Sequence, residues 1–142
     1  MKVSRFRGFD LALMTRDEHC PPHLHVKSPD WEARFKFSFW HNNVCLYDVQ
    51  PVSAKPPSKV LENLRQHLRE PLILQSARQK WWHVMNSICL DNLYWNFHLG
   101  EVVAPTKTNV GAVKIMSARY DGQRNITVLK LFGFVDDLEI EL

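Results

Sequence analysis

The sequence predicts an α+β fold: an antiparallel sheet of about four N-terminal strands, a two-helix layer on one face, and a β-hairpin-rich C-terminal extension. Three observations predict it. Apolar and polar residues alternate with period two over 9–14 and 33–40; Val60, Leu61, Leu64 and Leu68 recur at helical spacing; and two alternating runs, 112–120 and 125–132, flank Asp121-Gly122.

Each element follows in order. Phe9, Leu11 and Leu13 fall on one side of the first strand and Asp10, Ala12 and Met14 on the other, as in a sheet with one buried face. After the rigid Pro21-Pro22, His23 to Val26 starts a second strand. Phe35, Phe37 and Phe39 then point one way, and Arg34, Lys36, Ser38 and Trp40 the other. His41-Asn42-Asn43 serves as a turn, because Asn tolerates positive φ and hydrogen-bonds its own backbone. Residues 44–49 complete a hairpin, which closes an antiparallel meander of four strands.

Gln50 to Ser58 is a connector marked by Pro51, Pro56 and Pro57, and Pro57 suits the first turn of a helix. In that helix Glu62, Arg65 and Arg69 lie opposite the leucines. Pro71 ends it or starts the next, where Ile73, Ala77, Lys80, Trp81, Val84, Met85 and Ile88 trace a stripe whose lysine stem can snorkel. Both helices are expected on the Phe face of the sheet. Leu90 to Leu99 is a strand or a helical end, and Gly100 to Asn109 reads as a loop. Asp121-Gly122-Gln123-Arg124 then joins a hairpin, with the Asp-Gly pair supplying positive φ. Gly133 breaks the second strand, and Leu138, Ile140 and Leu142 alternate with acidic residues. These last strands extend the first sheet or form a second one. Residues 1–88 thus make a sheet-plus-helix unit, and 89–142 a β-rich extension packed on the same domain.

Composition bounds the class. The chain has 142 residues, eight Phe, five Trp and three Tyr, enough apolar mass for a packed core and too much for a disordered chain. The apolar run Leu11–Met14 is too brief for a signal peptide, and no stretch reaches the length of a membrane span. Cys20, Cys45 and Cys89 are an odd number at wide spacing, which fits reduced thiols and a soluble cytoplasmic protein; Cys45 and Cys89 sit in apolar runs and read as small hydrophobes. The net charge of +3 hides an asymmetry. Residues 1–50 carry seven Lys/Arg against six Asp/Glu, residues 51–90 six against two, and residues 91–142 five against seven. The basic middle and the acidic tail can face each other.

One segment concentrates chemistry. Asp17-Glu18-His19-Cys20-Pro21-Pro22-His23-Leu24-His25-Val26 holds three histidines, a cysteine and two carboxylates, stiffened by two prolines. On an extended chain His23 and His25 project to one face, and His19 can fold back toward them. His19, His23 and His25, with Cys20, would then offer a tetrahedral set for zinc, although the spacing H-x₃-H-x-H is not a zinc-finger spacing. Two neutral imidazoles could instead act as general acid and base. The simplest alternative needs no chemistry: the imidazoles bond to backbone and to Asp17 or Glu18.

The order of elements and the run Glu18-His19-x-Pro21-Pro22-His23-x-His25-Val26 resemble a family of small bacterial proteins known only as domain of unknown function 4160. The resemblance covers residues 4–86, with the family's helical Trp falling at Trp81 or Trp82. Ser28-Pro29-Asp30 stands where glycine-rich turn residues are usual, and the tail from Ile88 lies outside it. Members neighbour toxin–antitoxin-type gene pairs, so the resemblance implies a small binding or regulatory protein.

Three functions are therefore expected in turn. The first is an interaction or regulatory protein, one component of a toxin–antitoxin-like pair, with a protein partner or a homo-oligomer and a surface that uses Trp81 and Trp82. The second is a nuclease or hydrolase, metal-dependent or not, using His19, His23 and His25, with Arg16 or Lys27 holding an anion. The third is a nucleic-acid binder using Lys55, Lys59, Arg65, Arg69, Arg78 and Lys80.

Overall fold

The computed structural model of the chain describes residues 1–107 and 110–142. It contains two helices and two antiparallel sheets of five strands each, an α+β architecture. The first sheet is a meander of β1 (Lys2–Phe6), β2 (Phe9–Ala12), β3 (His23–Lys27), β4 (Glu32–Lys36) and β5 (Cys45–Gln50), paired in chain order. It has one strand more than expected. Lys2–Phe6 has one or two half-buried residues between exposed ones and so carries little periodic signal. Its pairing comes from the two-residue turn Arg7-Gly8, whose φ values of 49° and 85° match the positive-φ hairpin turns.

Phe35, Phe37 and Phe39 are all buried, as their alternation predicts, although β4 itself ends at Lys36. Pairing persists one residue further, where the Phe37 amide donates to Pro22 O at 3.0 Å. Ser38, expected on the outer side, is buried as well, and its carbonyl accepts from Arg78.

Helix α1 (Ser58–Leu68) buries Leu61, Leu64 and Leu68, and α2 (Pro71–Met85) buries Leu74, Ala77, Arg78 and Trp81. Helix α2 stops at Asn86, whose left-handed φ of 47° caps it, so Ile88 reaches the core from the following loop. The stripe is rotated from the expected one: Lys80 is half-buried beside Ser76, and Arg78 lies fully inside. Arg78 is inside because its guanidinium finds acceptors there, Ser38 O, His41 O and Asn42 Oδ1, each at 2.9 Å.

The C-terminal strands form their own sheet, in the order β10 (Leu138–Glu141), β9 (Ile126–Leu131), β8 (Ala112–Asp121), β6 (Tyr94–Asn96), β7 (Glu101–Val103). Strand β7 falls within the segment expected to be a loop; Val102 and Val103 pair with Trp95 and Tyr94 around a turn tightened by Asn96 Oδ1, which accepts the His98 and Leu99 amides. The rest of that expected loop includes 108–109, which lie outside the described residues. The β8–β9 hairpin forms as predicted, for a different reason. Positive φ is found at Asn125, not Gly122, and Asp121 Oδ1 accepts the Gln123 and Arg124 amides. Gly122 matters for closeness: a Cβ there would lie 2.8 Å from Gln79 Cγ, and its carbonyl accepts from Gln75 and Gln79 of α2.

One hydrophobic core joins the two sheets and the helices. Phe39 of the first half meets Tyr120 of the second edge-on, with ring centroids 5.0 Å apart. Cys20 and Cys89 form a disulfide across 69 residues, with Cα atoms 5.6 Å apart. This corrects the expectation of reduced thiols, because wide spacing in sequence does not report adjacency in the fold. Cys45 is free but exposed, not a buried hydrophobe. Among the described residues no ion pair joins the basic middle to the acidic tail; Asp137 and Glu139 pair with Arg119 and Arg124 within the tail. No helix among the described residues is long and apolar enough to cross a membrane.

Candidate metal centre

Strand β3 places His23 and His25 on the same face, because side chains two apart on a strand point the same way. Their cross-strand partners are Lys36 and Arg34, and Arg34 pairs in turn with Asp48 of β5. A row His25–Arg34–Asp48 therefore crosses three strands. The segment between β2 and β3 passes over this face and carries Glu18, whose side chain is only 4% exposed. Positive φ at Asp17 and the tie of Cys20 to Cys89 fix the path of that segment.

The hydrogen bonds define which ring nitrogens are protonated. His23 Nδ1 lies 2.7 Å from Pro21 O, a carbonyl that can only accept, so Nδ1 carries the proton. His25 Nδ1 lies 2.6 Å from Glu32 Oε1 and donates to that carboxylate. Both Nε2 atoms face Glu18 Oε1, at 3.6 Å for His23 and 3.0 Å for His25; His25 Nε2 is within hydrogen-bond reach of that carboxylate, and an ion bound there would take the place of the proton between them. Three ligand atoms thus converge within 4.8 Å of one another. Ligands about 2.0–2.1 Å from a tetrahedral zinc are separated by roughly 3.3 Å, a value that the two contacts to Glu18 Oε1, 3.6 and 3.0 Å, bracket. Burial also pushes His23 below its ordinary pKa, against the opposing effect of the Pro21 bond, and so favours the neutral, ligating form. Glu18 Oε2, buried and without a hydrogen-bond partner among the described residues, leaves the carboxylate with unused acceptor capacity at the centre.

Beside His25 opens a cavity of about 330 Å³, lined by His25, Glu32, Arg34, Asp48 and Gln50. Arg34 grips Asp48 through Nε at 2.8 Å and through Nη2, and stacks its guanidinium 4.7 Å from the Tyr47 ring. The bond to Arg34 holds the Asp48 carboxyl below the usual carboxylate range. With three carboxylates and one guanidinium around the two imidazoles, the region favours a cation.

The expected set is thereby revised. His23 and His25 converge as predicted, but the third group that meets them is Glu18. His19 is exposed, its ring 5.5 Å from that of His23, and it is outside the converging set. Cys20 cannot ligate as a thiolate while bonded to Cys89. Arg16 and Lys27 are exposed and neither lines the cavity, where Arg34 stands instead. Trp81 is fully buried, 5.6 Å from the His23 ring, and forms a wall under the site; Trp82 is half-buried beside Tyr120 and Gln79. The basic row is broken too, since Arg78 is inside and Arg65 is engaged by Glu62. Glu32 and Asp48 were legible only through strand register, which puts Lys27 opposite Glu32 and Arg34 opposite Asp48.

No family model, curated protein or solved structure matches the chain.

Proposed function

We propose that this protein is a metal-dependent hydrolase whose Glu18 Oε1, His23 Nε2 and His25 Nε2 hold one divalent ion of the zinc class. One observation carries the reading: both imidazoles have Nδ1 engaged by Pro21 O and Glu32, so both Nε2 atoms turn to Glu18 Oε1, where an ion can replace the proton of the His25–Glu18 bond. Two histidines and one carboxylate leave coordination positions open, the pattern of catalytic rather than structural sites. A bound zinc ion supplies water made acidic enough to ionise near neutral pH. The chain's own groups do the rest. Pro21 O and Glu32 fix the ring orientations, and the cavity over His25 leaves room for a substrate group.

The interaction and regulatory role, as one half of a toxin–antitoxin-like pair, rests on the family resemblance alone, and no contact in the fold favours it. Equilibrium dialysis of the intact chain against Zn²⁺ tests the metal reading. One equivalent should bind the wild type, with affinity at least tenfold lower in His25→Ala. Equal binding by both, or none by the wild type at micromolar zinc, rejects it. If zinc binds, release of nitrophenolate from model phosphodiesters and carboxylic esters tests the hydrolytic step, which fails if the zinc-loaded chain gives no rate above free zinc.

A further inference from the structure

A group of exposed apolar side chains lies at one end of the C-terminal sheet. Strands β6 and β9 end there, and β7, β8 and β10 begin there, since Asn96 pairs with Glu101 and Ala112, Ile115 with Leu131, and Leu138 with Leu129. Two turns, 97–100 and 132–137, cap this end, and they meet. The Phe97 and Phe134 rings stack with centroids 5.3 Å apart and planes 29° from parallel. The Phe132 amide donates to Lys114 O at 2.9 Å, which sets Phe132 beside the start of β8. Lys114 and Met116 flank the buried Ile115 on that strand and therefore point outward. Phe97, Leu99, Met116, Phe132, Phe134 and Val135 each expose between 45% and 99% of their surface.

One exposed phenylalanine needs no explanation, but six large apolar side chains in one patch do. At ~200 Å² for a whole aromatic side chain, and somewhat less for the aliphatic ones, they present on the order of 600 Å² of apolar surface. One side of a standard protein interface buries ~800 Å², of which roughly 450–520 Å² is apolar. The patch therefore matches what the core of a stable interface needs.

The charges around it select the partner. Lys114 and Lys130 stand on the outer face next to Phe132, and Asp136 follows Val135 directly; all three are exposed, and none is in an ion pair among the described residues. Residues 91–142 carry five Lys/Arg against seven Asp/Glu, a balance that repels nucleic acid and anionic lipid. An apolar centre with unpaired charges of both signs at its rim is instead complementary to itself. A twofold axis through the patch sets the lysine side of one copy against the acidic side of the other and lays the aromatic turns on each other.

We propose that this end of the C-terminal sheet is a dimer interface, on which a second copy of the chain packs its own Phe97–Phe134 pair. The contact is isologous, the same surface serving on both copies. None of the patch residues lines the cavity beside His25, so dimerisation and metal binding are independent properties of the chain.

Sedimentation equilibrium of the metal-free chain across micromolar concentrations tests it. A Cys45→Ser background keeps a disulfide between two exposed Cys45 thiols out of the reading. The mass should reach twice 16.7 kDa as concentration rises. Phe134→Glu and, separately, Val135→Glu should each weaken the dimer at least tenfold, because each puts a carboxylate into the apolar centre. Val135 is 99% exposed, so its replacement leaves the fold of the single chain intact; if Phe134→Glu does not fold, Val135→Glu alone decides. A chain that stays monomeric at high micromolar concentration overturns the proposal, and binding of that monomer to phosphatidylcholine vesicles would assign the patch to a lipid surface instead. A dimer that Val135→Glu leaves equally tight overturns it too, since the contact then lies elsewhere.

Discussion

His25 is held between two carboxylates: Glu32 Oε1 lies 2.6 Å from its Nδ1 and Glu18 Oε1 3.0 Å from its Nε2. The two contacts have different chemistry. The first is to a carboxylate that is 39% exposed and orients the ring, whereas the second is to a buried one and marks where a cation would sit. Glu32 is thus a positioning residue. Glu32→Gln should weaken zinc binding about 10–100-fold and leave the stoichiometry at one, as loss of a histidine's outer partner does elsewhere. A zinc titration with a competing chelator reads this directly, and unchanged affinity would remove Glu32 from the site.

The second prediction concerns the Cys20–Cys89 bond, which closes a span of 69 residues. On the chain-entropy account such a loop stabilises the fold by about 4 kcal/mol. Cys20→Ser with Cys89→Ser, or the reduced wild type, should unfold at markedly lower denaturant, with a slope no smaller than that of the crosslinked chain because the unfolded state is released from its constraint. Because Cys20 lies two residues from Glu18, zinc affinity should fall as well. Equal midpoints with and without reductant would show that the bond contributes nothing to stability.

How much of this was legible in the sequence differs by element. Period two was enough to put His23 and His25 on one face of their strand and the three phenylalanines on one side of theirs, because alternation on a strand is geometric; that the two sets lie on opposite faces follows from the register of β3 with β4. Glu18 is in the motif but could not be told from His19 as the third ligand. That choice depends on the path of an irregular segment, which is set by positive φ at Asp17 and by a disulfide to a residue 69 positions away. Strands β1 and β7 escaped for a related reason: each is short and little buried, and its pairing comes from a turn. Arg78 was read as surface charge because helical spacing gives its angle but not the three acceptors that make burial tolerable.

Gly111 supplies a third prediction. Its φ is +90°, and a Cβ there would come within 2.3 Å of His98 Cδ2. Gly111→Ala combines backbone strain with a clash at the β6–β8 end of the second sheet and should cost about 1–3 kcal/mol. Gly8→Ala, with no atom within 4 Å of its Cβ, carries only the backbone term and should cost less. Chemical denaturation of both variants measures the difference; a larger loss at Gly8 would contradict the assigned contact.

The last prediction is a pH dependence centred on His41. Burial lowers its pKa from 6.5, and the neighbouring Arg78 charge lowers it further, with Glu101 acting weakly the other way. The Asn43 amide also donates to His41 Nδ1 at 3.1 Å, a bond that protonation at that nitrogen would break. The folded chain therefore binds this proton less readily than the unfolded chain. Stability is full above pH 6.5, declines as pH falls from 6.5 toward the lowered folded value, and levels off below it. Metal-free wild type and His41→Gln should then diverge in their unfolding free energy across pH 7 to about 5, with the shallower slope in the variant. Parallel profiles would mean that His41 is as easily protonated in the fold as out of it, and that Arg78 does not act on it.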